Sequence, residues 1–142
     1  MKFGYFKFPL PARSTFFGTA VLKPIIPVGI SYGGRKLRYG VLIDSGADFC
    51  IFDGEVGEQL DINVRSGTRE VFGGIQERNG AEAFLHEVVL NVGGWDYKTK
   101  VGFSYDIAKH GFGVVGQKGF FDIFVVKFDL LREEVELKER KQ

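Results

Sequence analysis

The sequence predicts an all-β barrel or sandwich, and three observations carry that reading. Glycine is abundant, at 20 of 142 residues. β-Branched and aromatic residues are frequent, with 15 phenylalanines among them. Turn signals recur at short intervals: Gly33-Gly34, Asp44-Ser45-Gly46, Gly73-Gly74, Asn79-Gly80, Gly93-Gly94, Gly111 and Gly116. Short apolar runs between such signals are the pattern of many short strands.

Taken in order, residues 1–23 are aromatic and extended, because Pro9 and Pro11 oppose a helix. Residues 25–31 and 36–43 read as a hairpin around Gly33-Gly34, and the second arm runs straight into Asp44. A further short strand is expected over 48–52. Residues 53–60 read as one or two helical turns with Asp53 as N-cap. Residues 63–72 and 76–91 form the arms of a long hairpin, whose charged residues (Arg65, Arg69, Glu70, Glu77, Arg78) place its tip in solvent. Over 95–103, Tyr97, Thr99 and Val101 alternate with Lys98 and Lys100, the period of a half-buried strand. Residues 113–116 read as a short buried strand, 117–124 as a short helix and 124–128 as extended. In the tail, 133–140, helical propensity competes with alternation of Val135 and Leu137 against Glu134, Glu136 and Lys138; the alternation favours a strand.

Composition narrows the function. A length of 142 residues fits one core, with 1–24 an N-terminal extension and 25–142 the main domain. The formal net charge of +1 offers no basic surplus or stripe for nucleic acid. No stretch approaches 18 consecutive apolar residues, so no membrane-spanning helix is expected. One cysteine, Cys50, excludes an intrachain disulfide, and with His86 and His110 it is too little for a conventional zinc site. A free thiol and the lack of an export signal point to the cytoplasm.

The segment Val41-Leu42-Ile43-Asp44-Ser45-Gly46-Ala47 stands out. An apolar run delivers a carboxylate into a tight turn of small residues. A carboxylate drawn out of water is expensive unless its charge is satisfied, and a neighbouring hydroxyl and a glycine-allowed backbone can supply hydrogen bonds at close range. Two further elements accompany it. Val114-Val115-Gly116 can pack beneath the Asp44 turn, the glycine allowing close backbone approach. Phe72-Gly73-Gly74-Ile75 forms a glycine tip between charged strands, able to close over a ligand.

From about Ile25 to Leu137, these three elements in this order resemble the retropepsin-like (retroviral-type) aspartic peptidases. The resemblance implies a closed acid-protease barrel of six or seven strands, a single lobe per chain with one or two short helices, acting as a homodimer. Asp44 would be the catalytic aspartate. Ser45 would orient it through interlocking bonds beneath the dyad, Gly46 would line the cleft, and Ala47 would complete the loop. Phe72, Gly73, Gly74 and Ile75 would form the substrate flap. Val114, Val115 and Gly116 would thread under the active-site loop. Two departures are evident: the segment 1–24 is longer than in compact viral enzymes, and the family's usual Gly-Arg-Asp/Asn is here Gly116-Gln117-Lys118, which removes one ion pair from the dimer contact.

The chemistry so implied needs two carboxylates sharing one proton, and this chain offers a single Asp-Ser/Thr-Gly. Two copies would have to meet about a two-fold axis, each giving Asp44. The expected partners are a second copy and an extended polypeptide substrate, with no nucleic acid and no membrane; no metal and no cofactor is required. The same dimeric barrel could instead bind an extended peptide without cutting it. Simpler readings hold for other residues. Ser45 lacks the Gly-x-Ser-x-Gly elbow of a serine nucleophile. Cys50 sits in an apolar run, where a buried inert thiol is normal. His86 reads as a packed or edge residue, and Trp95 as a core or dimer contact.

Overall fold

The computed structural model describes residues 1–73, 80–107 and 111–141. It is mostly β, with one short helix. The strands are β1 (Lys2–Gly4), β2 (Phe6–Ser14), β3 (Gly18–Lys23), β4 (Ile25–Tyr32), β5 (Arg35–Ile43), β6 (Ile51–Asp53), β7 (Thr68–Phe72), β8 (Ala81–Val92), β9 (Trp95–Ser104), β10 (Phe112–Val115), β11 (Phe124–Asp129) and β12 (Glu134–Glu139). The helix α1 spans Gly54–Gln59.

Seven strands make the main sheet, in the order β4-β5-β10-β6-β9-β8-β7, and β4 also pairs with β8 over Gly29–Ser31. A three-stranded sheet, β1-β12-β11, joins the two ends of the chain, and β2-β3 stands as a separate two-stranded ribbon. The hairpin β4–β5 turns at Gly33 and Gly34, both with positive φ (54° and 84°), as a two-residue turn matching strand twist requires. The core sits inside the main sheet. Phe52 lies edge-on to both Tyr39 and Phe103, at centroid distances of 5.3 and 6.0 Å. Ile26, Val41, Val101 and Val115 close around them with no exposed surface.

Local signals account for most of these elements. Asp53 caps α1, its Oδ1 accepting from Glu55 N–H at 2.9 Å. On β9, Tyr97, Thr99 and Val101 turn inward while Lys98 and Lys100 face solvent. The tail is the strand β12, and the inward pair is Val135 and Leu137.

Three expectations need correction. The segment 117–124 is a set of turns rather than a helix. Gly119 adopts φ +101°, outside the right-handed helical region, so regular helix does not propagate through it. The strand expected from Asn63 begins only at Thr68, because a 3₁₀ turn, Val64–Ser66, precedes it, with Ser66 Oγ donating to Asn63 O at 2.6 Å. Of the two places expected for Trp95, core or dimer contact, the core is ruled out: it opens β9 at 67% exposure.

Candidate active site

Asp44 ends β5. Its position follows from the parallel pairing of β10 with β5, which sets Val114 opposite Leu42 and Val115 opposite Ile43. One step further on, Asp44 N–H donates to Val115 O at 3.0 Å, so the ladder runs up to the carboxylate-bearing residue itself. β10 then holds the far side of the loop as well. Gln117 N–H donates to Ala47 O at 2.8 Å, and Lys118 N–H to Asp48 O at 3.0 Å. The approach is close enough that a Cβ on Gly116 would meet Ala47 O at 2.5 Å and Phe49 O at 2.6 Å. A glycine at 116 is therefore a condition of the loop's shape.

Within the loop, Gly46 N–H donates to Asp44 Oδ1 at 2.9 Å, and Ala47 N–H to Asp44 O at 3.1 Å. A charge-assisted bond of this kind fixes the carboxylate's orientation. Ser45 accepts through its carbonyl from Gln117 Nε2 at 3.0 Å, and its side chain is exposed. Among the described residues no second carboxylate is bonded to Asp44.

Asp44 opens onto a groove of about 510 Å³. Its floor is Asp44, Gly46 and Ala47, one wall is Phe112 and Val114 from β10, and the other is Phe72 and Gly73 at the end of β7 with Ala81 opposite. Phe72 stands edge-on to Phe49 at 5.9 Å, which ties the end of β7 to the loop. Asp48 and Asp106 also face the groove, and no cation lines it among the described residues. Asp106 is tied to the rim: its Oδ2 accepts from Glu82 N–H at 3.0 Å, and its own N–H donates to Ser104 Oγ at 3.1 Å. A second cavity, of about 440 Å³, lies near Arg38, Asn91 and Asp96, but there Asn91 Nδ2 already donates to Asp96 Oδ1 at 2.9 Å and no Asp44-like loop enters.

Of the residues singled out by sequence, Asp44, Gly46, Ala47, Val114, Phe72 and Gly73 converge on this groove. Val115 is buried and acts through its carbonyl. Gly74 and Ile75 lie outside the described residues, as does His110. Sequence reasoning missed Phe112, Asp106 and Gln117. Phe112 shares the parity of Val114, and that alternation was the available signal. Asp106 and Gln117 sit in loops and have no periodic signature.

The remaining reactive side chains are turned to structure. Cys50 is fully buried, and burial pushes its thiol up to about 12. His86 Nε2 lies 2.7 Å from Val64 O, packed beside the Phe103 ring. Tyr39, raised to about 12 chiefly by burial, accepts from Asp53 N–H at 3.4 Å.

No protein-family model matches the chain, and no curated protein matches it in sequence. Among solved structures it is similar to a retropepsin-like aspartic protease from Rickettsia conorii, with a TM-score of 0.55 and 14% identity, over 96% of this chain and 92% of that one. It also aligns with EIAV protease complexed with the inhibitor HBY-793, at a TM-score of 0.47 and 22% identity, over 67% of this chain and 82% of that one. The second alignment is too loose to add to the first, which shows a shared fold.

Proposed function

We propose, from this retropepsin-like fold and the loop it carries, that the chain is one half of an aspartic endopeptidase. The observation that carries the reading is the hold of β10 on both flanks of the Asp44 loop, which sets an oriented carboxylate on the floor of an open groove. The pairing of β4 with both β5 and β8 supports a closed barrel as its frame.

A single carboxylate cannot act as both acid and base, so two copies meet about a two-fold axis and bring their Asp44 side chains together. Like charges at that distance share one proton, and the pair titrates as a unit. The ionised member takes a proton from water as the water oxygen attacks the amide carbon. The protonated member donates to the carbonyl oxygen, and a proton then passes to the leaving nitrogen as the C–N bond breaks. Ser45, Gly46 and Ala47 hold the loop, while Phe72 and Gly73 border the groove that an extended substrate would fill. Phe72, Phe112 and Val114 offer apolar walls, which favours apolar side chains beside the scissile bond.

The test compares wild type with Asp44→Asn. Digestion of a peptide library between about pH 4 and 7, above the lower pKa of a carboxylate dyad, is read by mass spectrometry, and dimer mass by sedimentation. Cleavage that falls at least about a hundredfold in Asp44→Asn, with the dimer retained, supports the reading. A wild type that binds peptides and cuts none is a binding barrel instead. A strict monomer has no dyad and ends the proposal.

A further inference from the structure

The reaction above makes no use of the β2–β3 ribbon, yet this arm is distinctive in charge and exposure. Residues 1–24 contain four cations, Lys2, Lys7, Arg13 and Lys23, and no anion. With those four removed from the chain's 19, residues 25–142 hold 15 basic against 18 acidic side chains. The arm is basic and the body acidic.

Its root is pinned next to Asp44. Pro24 O accepts from Ile43 N–H at 2.9 Å, and Phe8 packs edge-on to Phe112, a wall of the groove, at 6.1 Å. Its tip is a hydrogen-bonded aromatic turn. Ser14 Oγ accepts from Phe16 N–H at 3.1 Å and from Phe17 N–H at 3.0 Å, and the two rings meet edge-to-face at 4.7 Å. These rings are nevertheless 85% and 58% exposed. A two-stranded ribbon is marginal in water without a surface to lie on, and a fixed aromatic pair held in solvent is the kind of group that anchors an interface.

The complementary surface is on the same chain. The turn between β11 and β12 carries Leu130 and Leu131, 59% and 96% exposed, flanked by Asp129, Glu133 and Glu134 with Arg132 as the one cation. Of the ten large apolar side chains exposed among the described residues, seven lie on the arm or on this β11–β12 hairpin. The two are neighbours, since Tyr5 N–H donates to Glu133 O at 3.0 Å. An open cavity of about 430 Å³ between them is lined by Lys7, Arg13, Phe17 and Leu22, with Glu133 as its single carboxylate. Cations and apolar walls thus face a space that calls for an acidic, apolar occupant.

Resting on the dimeric reading above, we infer that the arm is a strap between two copies. Each copy lays its Arg13 and Phe16-Phe17 tip on the β11–β12 turn of the other. Basic aromatic tip meets acidic leucine turn, and a two-fold axis makes the contact twice.

The experiment measures dimer dissociation by sedimentation for the full-length chain. Phe16→Ser/Phe17→Ser, at exposed positions, is expected to raise the dissociation constant by at least about tenfold. Arg13→Glu and Glu133→Lys should each weaken self-association, and an equimolar mixture of the two should restore it, because both contacts of the mixed dimer are then of opposite charge. Circular dichroism and urea unfolding confirm that each variant is folded. A wild-type dimer that ignores the tip substitutions overturns the strap and leaves the dyad reading standing, whereas a wild-type monomer removes both. Failure of the mixture to restore association means that Arg13 and Glu133 interact within one copy, which also overturns it. An unchanged dimer with a raised KM for a polypeptide substrate, or with lost binding to phospholipid vesicles, assigns the tip to a different occupant.

Discussion

Gly116→Ala tests the physical basis of the site. Its Cβ would lie 2.5 Å from Ala47 O, 2.6 Å from Phe49 O and 2.9 Å from Ala47 Cβ. Two of these atoms are backbone oxygens and cannot rotate aside. Overpacking of a tight site costs about 1–3 kcal/mol. Relief requires β10 to draw back from the loop, which endangers the Gln117 N–H to Ala47 O and Lys118 N–H to Asp48 O bonds at 2.8 and 3.0 Å. Each is worth about 1 kcal/mol net. The expected loss is about 3 kcal/mol, a large part of the roughly 5–15 kcal/mol of a whole domain. With a urea m-value of about 1–3 kcal/mol/M, the unfolding midpoint should fall by about 1–3 M. Gly40→Ala is the control, because its Cβ meets only Ile25 Cγ2 at 3.4 Å and Phe112 Cβ at 3.8 Å, ordinary contacts, and should stay within about 0.5 kcal/mol of wild type. Any peptidase activity should fall about a hundredfold in Gly116→Ala as the Asp44 carboxylate moves. Equal midpoints for the two variants would refute the argument that close approach of β10 shapes the loop.

Two more predictions follow from buried and capping groups. Cys50 and Tyr39 are both raised to about 12, from 9.0 and 10.0, with burial as the main cause. The unfolded chain therefore sheds these protons first, so their contribution is full below about pH 9 and is lost as pH climbs toward 12. Urea midpoints should fall over that window, and less steeply in Tyr39→Phe. At pH 8 the native thiol should resist a disulfide reagent and react fully in urea, a contrast read by absorbance. Asp53→Ala removes the cap of α1 and should cost about 1 kcal/mol in urea unfolding, with Asp53→Asn recovering most of it.

What could be read in the chain without its fold was whatever short-range physics governs. Alternation marked β9 and β12, the glycine pair marked the β4–β5 turn, and Asp53 marked the start of α1. The apolar run ending in Asp44-Ser45-Gly46 was visible for the same reason, since side chains, turn and carboxylate are neighbours along the backbone. Trp95 and the segment 117–124 misled because their fates rest on distant atoms. The indole's burial depended on whether another strand covered the β8–β9 turn, and the helix after β10 failed at Gly119, whose φ is +101° and whose carbonyl accepts from Thr99 Oγ1 of β9.

By itself, then, the amino-acid order determined the strand content, the main hairpins and the presence of one carboxylate at the end of an apolar strand. Only the tertiary structure decided that β10 would lie parallel to β5 and grip both sides of the Asp44 loop, that Phe112 and Asp106 would share its groove, and that an edge-to-face aromatic pair would be left in solvent. The reason is range. Propensity and periodicity act over a few residues, whereas a parallel pairing, a groove or an uncovered surface depends on which remote segments come to lie against each other.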